Sequence, residues 1–265
     1  MSAGTLTAAQ ALLSYAASIG AGFGAGTAVN LLAGRVQDEE TSVRGNQCHT
    51  CGAPLPAARL VPLAGFRRAN RTCTTCGKTA SLRAPILSLA LALVYPLLLN
   101  HILSSASASH LPILVIFAIE AVACALLAFI FAVDLEHKLI LDIAVYPALM
   151  ALILIAALFD HKALAAMLFG LIIYGGLFLL LYGLGFLLYR TEALGLGDVK
   201  LALLIGLMIG WPAIVQALIL GGLFGAAISL LLLGMGVATR RTYIPYGIFM
   251  ATGAVLALLL TPPFW

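Results

Sequence analysis

Eight apolar runs dominate this chain, at about 6–34, 84–103, 111–133, 141–159, 163–189, 193–211, 212–236 and 244–262. Each approaches or exceeds the roughly 20 apolar residues a helix needs to cross a bilayer. Hydrocarbon offers no hydrogen-bond partner, so such runs must satisfy their backbone groups internally, as helices do. Only 9% of the 265 residues are charged, against about 25% in a soluble domain. The expected fold is an all-α polytopic membrane protein with about eight transmembrane helices. Residues 1–34 carry no charged side chain, so the basic start of a cleavable signal peptide is not expected.

One long hydrophilic insert, 35–83, interrupts the pattern. The expected division is a first transmembrane helix (1–34), the insert (35–83) and a transmembrane core (84–265). With the insert on the cytoplasmic side, 13 basic residues fall inside: Arg35, Arg44, Arg59, Arg67, Arg68, Arg71, Lys78, Arg83, Lys138, Arg190, Lys200, Arg240 and Arg241. Lys162 alone falls outside, an asymmetry that sets orientation. Both termini then face outward, and Trp211 and Trp265 meet the outer interface. The net charge of +4 is explained by this topology, so no nucleic-acid partner is expected. Gly20, Gly22, Gly24 and Gly26, and later Gly221, Gly222 and Gly225, are expected to permit close helix packing.

Within the insert, "CHTC" and "CTTC" place Cys48, Cys51, Cys73 and Cys76 in two CxxC pairs separated by 21 residues. Four thiolates from two tight turns suit a tetrahedral structural zinc site. A segment of 49 residues has little room for a hydrophobic core, which a metal would offset. Disulfides are disfavoured on a cytoplasmic face. Thioredoxin-like chemistry would need a βαβ pattern that is absent. Four thiolates also leave no open position for catalysis at the metal. His49 reads as a neighbour rather than a ligand, and Cys124, in mid-span, as packing.

Two aspartates stand at span ends. Asp134 lies in "FAVDLEHKLILD" and Asp198 in "GLGDVK". Counted from about Ala193, Asp198 lies roughly 8 Å into its span. Both carboxylates therefore approach the same cytoplasmic side. Two such groups in a poorly solvated site share a proton, so one can activate water while the other donates to a carbonyl oxygen. Gly195 and Gly197 let a substrate backbone come close to Asp198. The plainer readings are that Asp134 ends a helix and that Asp198 pairs with Lys200. Glu136, His137, Lys138 and Asp142 read as a solvated polar loop.

With these motifs the chain resembles the type IV prepilin peptidases, GxGD intramembrane aspartic proteases that are often also N-methyltransferases. "GTAVNLLAGR" is similar to the family's first-span ending, through Gly26, Asn30 and Arg35. The CxxC pairs, the Asp134 and Asp198 segments, and the late "YIPYGIF" at 243–249 complete the likeness. The resemblance implies Asp134 and Asp198 as catalytic residues, with Gly195, Gly197 and Lys200 supporting their loop. It implies a multi-pass protein of the bacterial cytoplasmic (inner) membrane, with type IV prepilins or the pseudopilins of type II secretion as substrates. It also implies structural zinc and, where methylation occurs, S-adenosylmethionine. Two positions depart from the family: Leu141 precedes Asp142 where proline is usual, and Ser88 stands where a glutamate is usual. The second bears on methyl transfer more than on proteolysis.

A transporter could also use intramembrane carboxylates, but would be expected to show an internal repeat and mid-bilayer acids. A zinc-ribbon scaffold would leave Asp198 without a purpose. Among related peptidases, the CxxC insert favours the prepilin over the preflagellin branch.

Overall fold

The computed structural model describes residues 8–36, 47–48, 50–56, 58, 64–79, 82–105, 111–189, 194–236 and 245–261. Among them are eight long helices: α1 (Ala8–Ala33), α2 (Arg83–Ser105), α3 (Ile113–His137), α4 (Asp142–Phe159), α5 (His161–Tyr189), α6 (Leu196–Ile209), α7 (Ile214–Gly234) and α8 (Gly247–Leu260). Six are long and apolar enough to cross a membrane. The other two, α6 and α8, have 14 residues each, about 21 Å of helix against a hydrocarbon core of roughly 30 Å. The expectations for His49, Arg44, Arg59, Arg190, Arg240, Arg241 and Trp265 lie outside the described residues.

The chain divides into two compact units, one of residues 1–104 and 117–132, the other of 105–116 and 133–265. In the first unit α1 and α2 run antiparallel with their backbones in contact. A side chain at Gly22 would strike Leu91 and Ala92, and one at Gly26 would strike Ser88. Asn30, buried at the end of α1, donates from Nδ2 to the carbonyls of Gly26 (2.8 Å) and Ala84 (2.9 Å). The Tyr95 hydroxyl on α2 donates to the Ala121 carbonyl of α3 at 2.8 Å, and its ring meets Phe117 edge-on. Cys124 is fully buried on α3.

The second unit is organised around α6. From Asp198 to Ile209 this helix is buried at nearly every position, as expected of a helix that is apolar all round. It contacts α4, α5, α7 and α8. Against α5 the approach is backbone to backbone: a Cβ at Gly206 would lie 2.5 Å from the Gly170 carbonyl oxygen. At the α7–α8 contact, a Cβ at Gly253 would lie 2.5 Å from the Gly221 nitrogen. The expected packing role therefore falls on Gly22, Gly26, Gly221 and Gly225, which face a neighbouring element. Gly20, Gly24 and Gly222 have nothing within 4 Å on their side-chain side. The i, i+4 spacing of Gly22–Gly26 and Gly221–Gly225 puts each pair on one face. The intervening glycines point elsewhere.

These contacts separate structural glycines from free ones. Gly206→Ala must push α5 away from the central helix and is expected to cost about 1–3 kcal/mol. Gly222→Ala should be neutral or slightly stabilising, since alanine is the better helix former. Thermal unfolding in detergent distinguishes the two; equal melting temperatures would contradict the packing.

Candidate active site and metal centre

Asp134 occupies the last turn of α3, where the chain must stop being helical. Lys138 takes a left-handed conformation (φ 54°) and donates its backbone N–H to the Asp134 carbonyl, a helix-ending geometry. The turn sends residues 138–141 across the start of α6. There Gly197 has no side chain, and a Cβ would lie 3.3 Å from that of Ile140. Gly197 thus admits the loop after α3.

Asp198 is the third residue of α6, whose first turn begins after Gly195. The Asp198 N–H donates to the Gly195 carbonyl at 3.1 Å, and its carboxylate accepts a hydrogen bond from the Gly195 N–H. The carboxylate thus makes the N3-to-N-cap half of a capping box, with aspartate in the place usual for glutamate or glutamine, while glycine at the N-cap has no side chain to make the other half. Because the helix starts at Leu196, Asp198 lies nearer its helix end than a start at residue 193 would have put it.

Asp134 and Asp198 are only 3% and 6% exposed. They lie within electrostatic reach of one another and line one cavity of about 190 Å³. Lys138, Leu139, Ile140, Gly195, Gly197 and Lys200 complete its wall. Asp134 accepts a hydrogen bond from the Ile248 backbone N–H at the start of α8, while its Oδ2 is buried with no protein partner among the described residues. Lys200 does not pair with Asp198. Its Nζ binds Asp142 Oδ1 at 2.7 Å and sits 5.7 Å from the centre of the Tyr146 ring, tying α6 to α4. Both aspartates are thus left without a cationic partner from that lysine, and Asp142 does more than face solvent.

Sequence reasoning missed part of this neighbourhood. Tyr174 on α5 and Tyr246 before α8 both lie within electrostatic reach of Asp198. They belong to a run of rings, Tyr174–Phe178–Tyr246–Phe249, with centroids 5.0, 5.8 and 6.3 Å apart. A hydroxyl-bearing ring inside an apolar run was the available signal at Tyr174. For Tyr246 and Gly247 it was the polar break "IPYG".

In the insert, the two CxxC turns are built alike. The Cys48 N–H donates to the Ala53 carbonyl and the Gly52 N–H to Cys48; the Cys73 N–H donates to Lys78 and the Gly77 N–H to Cys73. Gly52 and Gly77 have φ of 70° and 71°, a left-handed geometry that glycine adopts without strain. All four Sγ atoms lie within 4.8 Å of one another. The Cys48–Cys76 and Cys51–Cys73 sulfurs are each 3.5 Å apart, far longer than a disulfide. Tetrahedral zinc–thiolate bonds of about 2.3 Å would set sulfurs roughly 3.8 Å apart, so the cluster fits such an ion with little movement. Backbone N–H groups of Thr50 and Cys51 pull the Cys48 thiol down to about 6, and those of Cys76 and Thr75 lower Cys73. Both shifts favour the metal-binding thiolate at those two positions. At Cys51 the Ala53 N–H, which lowers the thiol, is outweighed by the hydrogen bond with the Cys73 sulfur and by burial, which push it up to about 12.

Comparison with known proteins gives two family matches and several similar relatives. The family model described as "Type IV leader peptidase family" matches residues 121–230, and that described as "Bacterial Peptidase A24 N-terminal domain" matches residues 21–102. A protein of Burkholderia pseudomallei named prepilin leader peptidase/N-methyltransferase is 28% identical, over 82% of this chain and 68% of its own. Proteins of the same name from Stutzerimonas stutzeri (27%; 81% and 71%) and Pseudomonas aeruginosa (28%; 80% and 70%) are similarly related. No solved structure matches the chain significantly.

The cysteine geometry has a direct consequence. Purified protein should carry about one thiolate-bound metal ion per chain, and a Cys48→Ser Cys73→Ser variant should carry none. Elemental analysis checks this, and full occupancy in the variant would exclude the four-thiolate site.

Proposed function

Because this chain belongs to the type IV prepilin peptidase family, we propose that it removes the basic leader of type IV prepilins or pseudopilins with Asp134 and Asp198 as its catalytic pair. The observation that carries the proposal is the convergence of two buried carboxyl groups, from α3 and α6, on one cavity.

Two carboxyls in a poorly solvated site hold one proton between them. The ionised member takes a proton from water as the water oxygen attacks the scissile carbonyl carbon. The protonated member donates to the carbonyl oxygen, giving a neutral gem-diol. Collapse breaks the carbon–nitrogen bond: the protonated carboxyl gives its proton to the leaving amine, and a gem-diol hydroxyl returns one to the ionised carboxylate, so the pair again holds one proton. Residues 84–265 form the proteolytic core in this reading, with residues 1–34 as the first span.

The cut is assigned to the cytoplasmic side of the bacterial inner membrane. The 13-to-1 distribution of basic residues supports that orientation, with both termini outward. A prepilin's apolar segment can then lie in the bilayer while its basic leader stays in the cytoplasm. We assign zinc to the four cysteines of residues 35–83 as a structural ion that orders this insert. The relatives' names also include an N-methyltransferase activity, for which we propose S-adenosylmethionine as methyl donor and the new N-terminal amine as acceptor. Ser88, which replaces the usual family acid, is fully buried with its Oγ unpartnered among the described residues.

Incubating detergent-purified protein with a prepilin, with and without S-adenosylmethionine, and weighing the products tests both activities. Asp134→Asn and Asp198→Asn should each lower cleavage by on the order of 10³-fold or more, while the protein remains inserted and metal-loaded. The double variant should be little worse than either single one, because the pair acts as a unit. Near-normal cleavage by either variant would sink the two-aspartate mechanism. For topology, reporters fused near Arg71 and Arg240 should be cytoplasmic and one near Lys162 external. An external reporter at Arg71 would put the carboxylates on the wrong face.

A further inference from the structure

We propose that Gly247 is a positioning residue for Asp134: the start of α8 holds this carboxylate in place, and only glycine at 247 lets it in. The inference rests on the two-aspartate reading above and adds the device that sets one member of the pair.

The first N–H groups of any helix have no acceptor within the helix and need one from elsewhere. In α8 the residue before the helix, Tyr246, makes no side-chain cap, and the first turn contains no acidic residue. The Ile248 N–H, one of these spare donors, is instead taken by the carboxylate of Asp134 from α3. A carboxylate at a helix N-terminus also meets the positive end of the helix dipole.

That contact is possible only at very short range. A Cβ on Gly247 would lie 2.6 Å from Asp134 Oδ2 and 3.1 Å from its Cγ, with Leu201 of α6 closing the other side at 3.4 Å. Gly247 is buried and has ordinary negative φ, so no left-handed conformation demands glycine here. The demand comes from the carboxylate. The helix start is itself held, since the Tyr246 ring packs against Phe178 of α5 with centroids 5.8 Å apart. A side chain at 247 therefore displaces Asp134 rather than α8.

The other titratable groups around the carboxylate are Asp198 and Lys200 on α6, Lys138 after α3, Tyr174 on α5 and Tyr246. All are retained in the variants below. Gly247→Ala should reduce kcat by about 10²-fold, the scale of a 1 Å misplacement, with KM little changed. It should also move the acid limb of the kcat/KM profile to higher pH, because the carboxylate loses an N–H donor that favours its ionised form. Gly253→Ala is the control. It lies on the same helix as Gly247 but crowds Gly221 of α7, and it should lower the melting temperature without moving the acid limb.

If Gly247→Ala does not fold, Ile248→Pro removes the same N–H at a first-turn position that accepts proline, and its acid limb should shift likewise. A wild-type kcat and acid limb in Gly247→Ala, an unmoved acid limb in Ile248→Pro, or an equal shift in Gly253→Ala would each overturn the assignment. Asp134→Asn is assayed alongside. An active Asp134→Asn overturns the two-aspartate reading itself, whereas an inactive one beside a wild-type Gly247→Ala overturns only the role of Gly247.

Discussion

A carboxylate inside an apolar helical assembly has few ways to exist, and the one used here is the start of a helix. Spare backbone N–H groups occur only in a helix's first turn, because all later ones are spent within the helix. Asp198 takes one from its own helix, through Gly195, and Asp134 takes one from α8, through Ile248. These two attachments account for much of the surrounding design. They explain why α6 begins late, why α3 turns sharply at Lys138, and why the break before α8 ends in glycine. They also bring two like-charged groups to one cavity, where holding both ionised is unfavourable and sharing a proton is the cheaper state.

Holding those attachments in register requires that α6 barely move. Among the described residues it contacts four other helices, and it lacks bulky separation from α5, since Gly170 and Gly206 face each other with nothing between. In lipid the hydrophobic effect does not drive helices together, so close backbone contact and dispersion must do so. Small residues at the contact are the means. The ion pair from Lys200 to Asp142 adds a polar tie between α6 and α4 beside the cavity, and it keeps the ammonium from neutralising Asp198.

The insert solves a different problem by different chemistry. Its described residues bury only a few apolar groups, around Cys48, Leu55, Cys73 and Ala53. Two glycine-ended turns compensate by presenting four sulfurs to a common centre, so that a metal ion can supply the cohesion a core cannot. Family membership ties the insert and the aspartate pair to one protein. The division of labour proposed here, order from the metal and chemistry from the carboxylates, follows from their separate donor sets.

The sequence by itself determined the helices, because an apolar run of spanning length has one backbone solution in hydrocarbon. It also marked the four cysteines through their spacing, and the two aspartates through the cost of placing charge among apolar residues. It could not reveal which glycines touch a neighbour. Gly22 and Gly24 look alike in the chain, and only helix phase against α2 separates them. Nor could it choose a partner for Lys200, two residues from Asp198 in sequence yet bound to Asp142 58 residues away. The contribution of Tyr174, Tyr246 and Gly247 was hidden for the same reason: they reach the aspartates across helices. Composition and period are local properties and decide elements. Which spare N–H meets which carboxylate is decided only when α3, α6 and α8 are packed.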